Sequence, residues 1–168
     1  LLKNGVYYVK NEEEIQKLLD AAVTGDFVIN KKLEGRSANE ILEYAGIPCN
    51  GTIKLIVAET ERIHPFVTLE LLMPLVPLVK AADFEEALEI ALDVEQGYKH
   101  TATIHSESIE HLNRAAKEMQ TSVFVKNGPS FMGIGFDKEG IPASAGHGVY
   151  RKLDPELDAR RRPHRGLR

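Results

Sequence analysis

The sequence predicts an α/β protein, a three-layer, parallel-rich sheet with helices on both faces. Three observations predict it. Apolar runs at 75–80 (LVPLVK), 101–105 (TATIH) and 122–126 (SVFVK) are long enough for strands and too short for helices. Two segments between them carry apolar residues at helical spacing: Phe84, Ala87, Leu88, Ala91 and Leu92, then Ile109, Leu112, Ala115, Ala116 and Met119. Strands joined through helices in this way run parallel, because the crossover spans the sheet instead of turning back. The stretch 69–130 is therefore the unit around which the rest is organised.

Capping residues place the helices. Asp83 with Glu86 three residues on has the form of a capping box, and Gly97 is a suitable stop. Ser106 or Ser108 opens the next helix. Earlier in the chain, residues 1–5 read as the end of a helix stopped by Gly5, and VYYV (6–9) as a strand. Asn11 with Glu14 resembles a capping box, followed by a buried face of Ile15, Leu18, Leu19 and Ala22. The acidic run Glu12, Glu13, Glu14 complements the positive end of that helix. Residues 27–29 read as a short strand. Ser37 with Glu40 caps a helix whose apolar face is Ala38, Ile41, Leu42 and Ala45, closed by Gly46. IKLIVA (53–58) is a buried strand, and 59–64 a polar connection.

Composition narrows the function. The apolar share of 43% supports a real core. No apolar run approaches membrane-span length, and the single cysteine, Cys49, fits a reducing compartment; a cytoplasmic protein is expected. Residues 151–168 hold seven basic and three acidic side chains, leaving 14 basic against 22 acidic in residues 1–150. The folded part thus carries no electrostatic footprint for nucleic acid. Beyond Ile141 there is no periodicity, prolines interrupt the chain, and Arg160, Arg161 and Arg162 form a like-charge block. Residues 141–168 are expected to be a disordered, Arg-rich tail.

Candidate chemistry is sparse. Cys49 lies in a polar turn with no local cation or helix start to activate a thiol, so it reads as an incidental loop cysteine. The six histidines lack metal-site spacing, and no metal is expected. His100 opens a strand at its amino end, where a structural hydrogen bond is expected, since ligands gather at the carboxyl edge. Gly133, Gly135 and Gly140 resemble a phosphate loop, but no helix start follows to hold an anion. Glu70, four residues before Pro74, reads as a surface charge or as a carboxylate accepting from ribose hydroxyls.

The ordered series HPF (64–66), ELLMP (70–74), HTATIHS (100–106) and SVFVKNGPSFMGIG (122–135) resembles the C-terminal half of the CoA-acylating aldehyde dehydrogenases, of acetaldehyde and propionaldehyde type, found in bacterial microcompartments. The resemblance covers residues 1–140, which it implies are a partial aldehyde dehydrogenase catalytic domain. It implies an oxidoreductase that converts an aldehyde, NAD and CoA to acyl-CoA and NADH through a cysteine thioester, in a homo-oligomeric parent enzyme. Glu70 matches the glutamate of the superfamily's Glu-x-Phe-Gly-Pro motif, which binds the nicotinamide-side ribose. Leu72 matches its Phe, which packs near the nicotinamide ring, and Pro74 its proline; Leu72 and Met73 stand where the superfamily has Phe and Gly. His64, His100 and Asn127 match recurring positions without an assigned step.

Two departures qualify the resemblance. The family's nucleophilic cysteine falls before the region covered, as does the dinucleotide-binding domain. The resemblance therefore implies no catalytic residue on this chain and no turnover by the chain on its own. After Gly140 the family's Thr-rich ending is replaced, as expected of a tail read out of frame. The alternatives are a glutamyl-phosphate reductase-like enzyme, or a non-catalytic α/β domain that binds a ligand or partner.

Overall fold

The computed structural model describes residues 4–25 and 27–134. They fall into two compact units that divide between Gln96 and Gly97. Residues 141–168, expected to be a tail, lie outside the described residues, as do residues 1–3 of the expected first helix.

The first unit is built on three parallel strands, β1 (Val6–Val9), β4 (Leu55–Glu59) and β5 (Leu75–Leu78), in the order β1-β4-β5. Tyr7 stands opposite Ile56, and Ile56 opposite Leu75. This register puts Val9, Ile56, Ala58 and Leu75 into the core. Helix α1 (Glu12–Ala22) adds Leu18, Ala21 and Ala22, and α2 (Ala38–Tyr44) adds Ala38, Ile41 and Leu42. Between the helices lies a two-residue antiparallel hairpin, β2 (Val23–Thr24) with β3 (Val28–Ile29).

The caps follow the sequence closely. Ser37 forms the expected reciprocal box with Glu40. Asn11 caps α1 by accepting from the Glu13 amide at 2.8 Å, one residue short of the box expected with Glu14. Asp83 accepts from the Glu86 amide at 3.0 Å and opens α4 (Phe84–Glu95), which ends in a left-handed Gln96. A four-residue helix, α3 (Pro65–Thr68), stands where a polar connection runs on; His64 caps it and Pro65 occupies its first turn, where a missing N–H costs nothing. Arg62 ties α4 to this corner through Glu89 (3.5 Å) and Asp93 (3.1 Å).

The second unit pairs β6 (Thr101–Ile104) with β7 (Val123–Lys126) in parallel, joined by α5 (Ile109–Met119). The predicted order strand, helix, strand, helix, strand through 69–130 is present as β5-α4-β6-α5-β7. Its pairing is divided: β5 pairs with β4, and β6 with β7. On α5, Ala115 is buried, while Ile109, expected on the apolar face, is 74% exposed at the first helical position. After β7 the chain turns through a 3₁₀ segment (Ser130–Ile134). A side chain at Gly133 would collide with Val123, so this glycine serves close packing on β7. Gly135 and Gly140, the rest of the phosphate-loop resemblance, lie outside the described residues.

The two isoleucines separate these environments. Ile41→Ala, at a fully buried site, is expected to cost about 3 kcal/mol in urea unfolding. Ile109→Ala should change stability by less than about 0.5 kcal/mol. An equal loss at both would contradict the burial described.

Candidate functional site

The ELLMP segment links α3 to β5 and is held by its alternate residues. Leu71 is 6% exposed within the core, and Met73 packs against that core. Pro74 accepts from the Ile56 amide at 2.9 Å, which fixes the segment to the central strand. Glu70 is exposed, and Leu72 is 52% exposed with a left-handed backbone at φ +52. A bulky residue rarely adopts that conformation, and such outliers concentrate where ligands bind. The segment therefore presents a carboxylate and an apolar side chain on a rigidly seated loop. A carboxylate can accept from both hydroxyls of a diol, and an exposed leucine can lie against a flat ring.

Cys49 lines a cleft of about 480 Å³ with Asn39, Glu43, Gly46, Ile47 and Pro48, and Glu70 is not among the lining residues. The Asn39 amide donates to Cys49 Sγ at 3.4 Å and to the Gly51 carbonyl at 3.0 Å, and its oxygen accepts from the Ile53 amide at 2.8 Å. Asn39 is thus a strut for the 49–53 loop, and the thiol sits beside it.

The remaining candidates have structural partners. His64 Nδ1 accepts from the Phe66 amide at 3.2 Å, and its ring meets Phe66 edge-on at 4.6 Å. Burial lowers its pKa, so it caps α3 as neutral imidazole. His100 Nδ1 lies 2.9 Å from the Thr101 hydroxyl, a local hydrogen bond at the amino end of β6 as the sequence implies. Asn127 joins the carboxyl ends of β6 and β7: its oxygen accepts from the Ser106 amide (2.8 Å) and its NH₂ donates to the Ser106 carbonyl (2.9 Å). Asn127 backbone is left-handed, at φ +54, which asparagine tolerates.

Sequence reasoning missed a charge cluster at the carboxyl edge of the first sheet. Glu59, at the end of β4, accepts from the Tyr8 hydroxyl and pairs with Lys80 at 2.6 Å and Lys10 at 3.3 Å. Lys80 foremost, then Tyr8, hold its carboxyl down to about 2. The residues are 51 and 21 positions apart in sequence, so only the strand register brings them together. Among the described residues, no group of three or more His, Cys, Asp or Glu side chains could hold a metal, and no helix is long and apolar enough to cross a membrane.

Parallel sheets crossed by capped helices define the class as α/β, with a candidate ligand loop leading into a parallel strand. Comparison with known proteins gives the particular family. No family model matches the chain. Over 132 residues it is 47% identical to a propanal dehydrogenase (CoA-propanoylating) of Citrobacter freundii, covering 78% of this chain and 28% of that protein. Its fold matches a Rhodopseudomonas palustris propionaldehyde dehydrogenase, solved with bound CoA and an acylated cysteine, at TM-score 0.76 and 41% identity over 80% of this chain and 30% of the other. It also matches a propionaldehyde dehydrogenase from the Clostridium phytofermentans fucose utilisation bacterial microcompartment at TM-score 0.77 and 34% identity, over 88% and 34%. The chain is homologous to a segment of the CoA-acylating aldehyde dehydrogenases. It spans under a third of the length of the curated relative and about a third of the solved ones.

Two titrations should be visible in stability. The His64 pKa is lower folded than unfolded, so the unfolded chain binds the proton first as pH falls below about 6.5, and stability declines there. Glu59 has a depressed folded pKa, so its contribution is present above about 4.5 and is lost as pH falls toward 2. Urea midpoints between pH 8 and pH 5 should fall in the parent and fall less in His64→Asn, which keeps an N-cap acceptor without the titration. Equal slopes in both would contradict the assignment.

Proposed function

We propose that this chain is a piece of an NAD-dependent, CoA-acylating aldehyde dehydrogenase, and that it supplies the nicotinamide-side wall of the cofactor site. The observation that carries the reading is the coincidence of the ELLMP match with its geometry. Glu70 and Leu72 are the exposed residues of a loop whose alternate members are anchored in the core. Glu70 would accept hydrogen bonds from the ribose hydroxyls, and Leu72 would pack beside the ring.

The reaction class oxidises an aldehyde bound to a cysteine, NAD takes the hydride, and CoA thiol displaces the resulting acyl group from sulfur. This chain's residues orient the cofactor in that scheme. Cys49 sits in a cleft whose lining does not include Glu70, and in this scheme it takes no part in the thioester. The parent substrates are a small aldehyde and CoA. A homo-oligomeric enzyme in a microcompartment is supported by the Clostridium phytofermentans neighbour's origin for the setting alone. Residues 1–140 carry the enzyme segment.

The test is a chimera of the Citrobacter freundii propanal dehydrogenase in which this chain's matched 132 residues replace their counterpart. It should form NADH from propanal, NAD and CoA. Glu70→Gln in it should raise KM for NAD about tenfold, a loss of about 1.4 kcal/mol. A folded chimera without activity, or an unchanged KM for NAD, would overturn the reading. The 168-residue chain alone should give no NADH under the same conditions.

A further inference from the structure

Leu72 has a conformation that its side chain disfavours, and a second segment of the chain hydrogen-bonds to its carbonyl. Of the non-glycine residues with positive φ, Gln96 and Gln120 are helix caps and Asn4 and Asn127 are asparagines. Leu72 is neither, and it shares that status with Phe27 and Lys99. Its carbonyl accepts from the Gly35 amide at 3.1 Å. We propose that the 30–36 turn is a positioning element for the cofactor loop, acting through this Gly35–Leu72 hydrogen bond. The proposal rests on the cofactor-binding reading of Glu70 and Leu72.

The turn is built to be stiff. Asn30 is 9% exposed; its amide NH₂ donates to the Ala21 carbonyl at 2.8 Å and its backbone N–H to the Ala22 carbonyl at 2.8 Å. These carbonyls end α1 and would otherwise lack partners, so Asn30 welds the turn to that helix. Leu33, 3% exposed, inserts into the same core as Leu71. The Arg36 amide donates to the Leu33 carbonyl at 3.1 Å, and the Ser37 capping box starts α2 immediately afterwards. Gly35 therefore sits on a short bridge between the Asn30 contact to the end of α1 and the start of α2.

Gly35 has φ +70, and a Cβ built there meets nothing within 4 Å. The site tolerates size but requires a left-handed backbone. A residue that accepts that backbone should keep the N–H aimed at Leu72, and a β-branched one should turn it away. With the clasp open, Leu72 relaxes toward an ordinary conformation. Glu70 and Leu72 then lose the arrangement that meets ribose and ring together.

The propanal dehydrogenase chimera tests this. Gly35→Val should raise KM for NAD at least fivefold while kcat stays within twofold and KM for propanal and CoA is unchanged. Gly35→Asn should return KM for NAD to within twofold of the glycine form. Gly35→Ala, a milder perturbation, serves if the valine variant does not fold, and should raise KM for NAD by at least twofold. A folded Gly35→Val (or Gly35→Ala) with unchanged KM for NAD, or an asparagine variant as impaired as valine, refutes the clasp. If Glu70→Gln raises KM for NAD and Gly35→Val does not, the clasp alone fails. If Glu70→Gln has no effect, the cofactor reading itself fails.

Discussion

The central strand β4 is the constraint on which the first unit depends. Among the described strands it alone is paired on both sides, with β1 and β5 in parallel register. Ile56 and Ala58 point into the core, and a slip of one residue would bring Leu55 and Val57 there instead and turn Ile56 outward. The same register fixes the candidate site. The Ile56 amide meets the Pro74 carbonyl, so the loop that carries Glu70 and Leu72 ends at a position set by the sheet. At its other end β4 delivers Glu59 between Tyr8, Lys10 and Lys80, one charge tying three strands.

Local signals were the most legible part of the sequence. Helix starts at Ser37, Asp83 and Ser108 rest on side-chain oxygens that reach the amide three residues away, and such contacts depend on little else. The strands that were expected, too, stand within a residue or two of their apolar runs, whereas β2 (Val23–Thr24) had no such run to mark it. Pairing was less legible. Nothing in residues 69–130 says that β5 takes β4 as its neighbour while β6 takes β7, because ladders are chosen by contacts distant in sequence. The short helix Pro65–Thr68 has too few residues for a period, and its signal was the His64-Pro65 pair. Ile109 misled because the first turn of a helix can stand clear of the core its later residues bury.

The candidate site divides the same way. Glu70 and Leu72 were found through a family resemblance, with periodicity silent about both. Their support from Gly35 lies 37 residues upstream of Leu72 in a turn that composition does not mark as functional. His64 and Asn127 recur in the resemblance, and here each has a structural occupation: one caps a helix, the other ties two strand ends. Asn127 spends both ends of its amide on the Ser106 backbone, and His64 spends Nδ1 on the Phe66 amide.

The physical picture is a division of labour: a loop seated on the core, which we propose grips the ribose, and a thiol held beside Asn39 in a cleft whose lining does not include Glu70. Replacing that sulfur tests the division most directly. Cys49→Ser in the propanal dehydrogenase chimera should leave the rate of NADH formation within twofold of the parent. A drop of a hundredfold or more, with folding intact, would mean that this thiol forms the thioester and that the segment has been assigned to the wrong part of the enzyme.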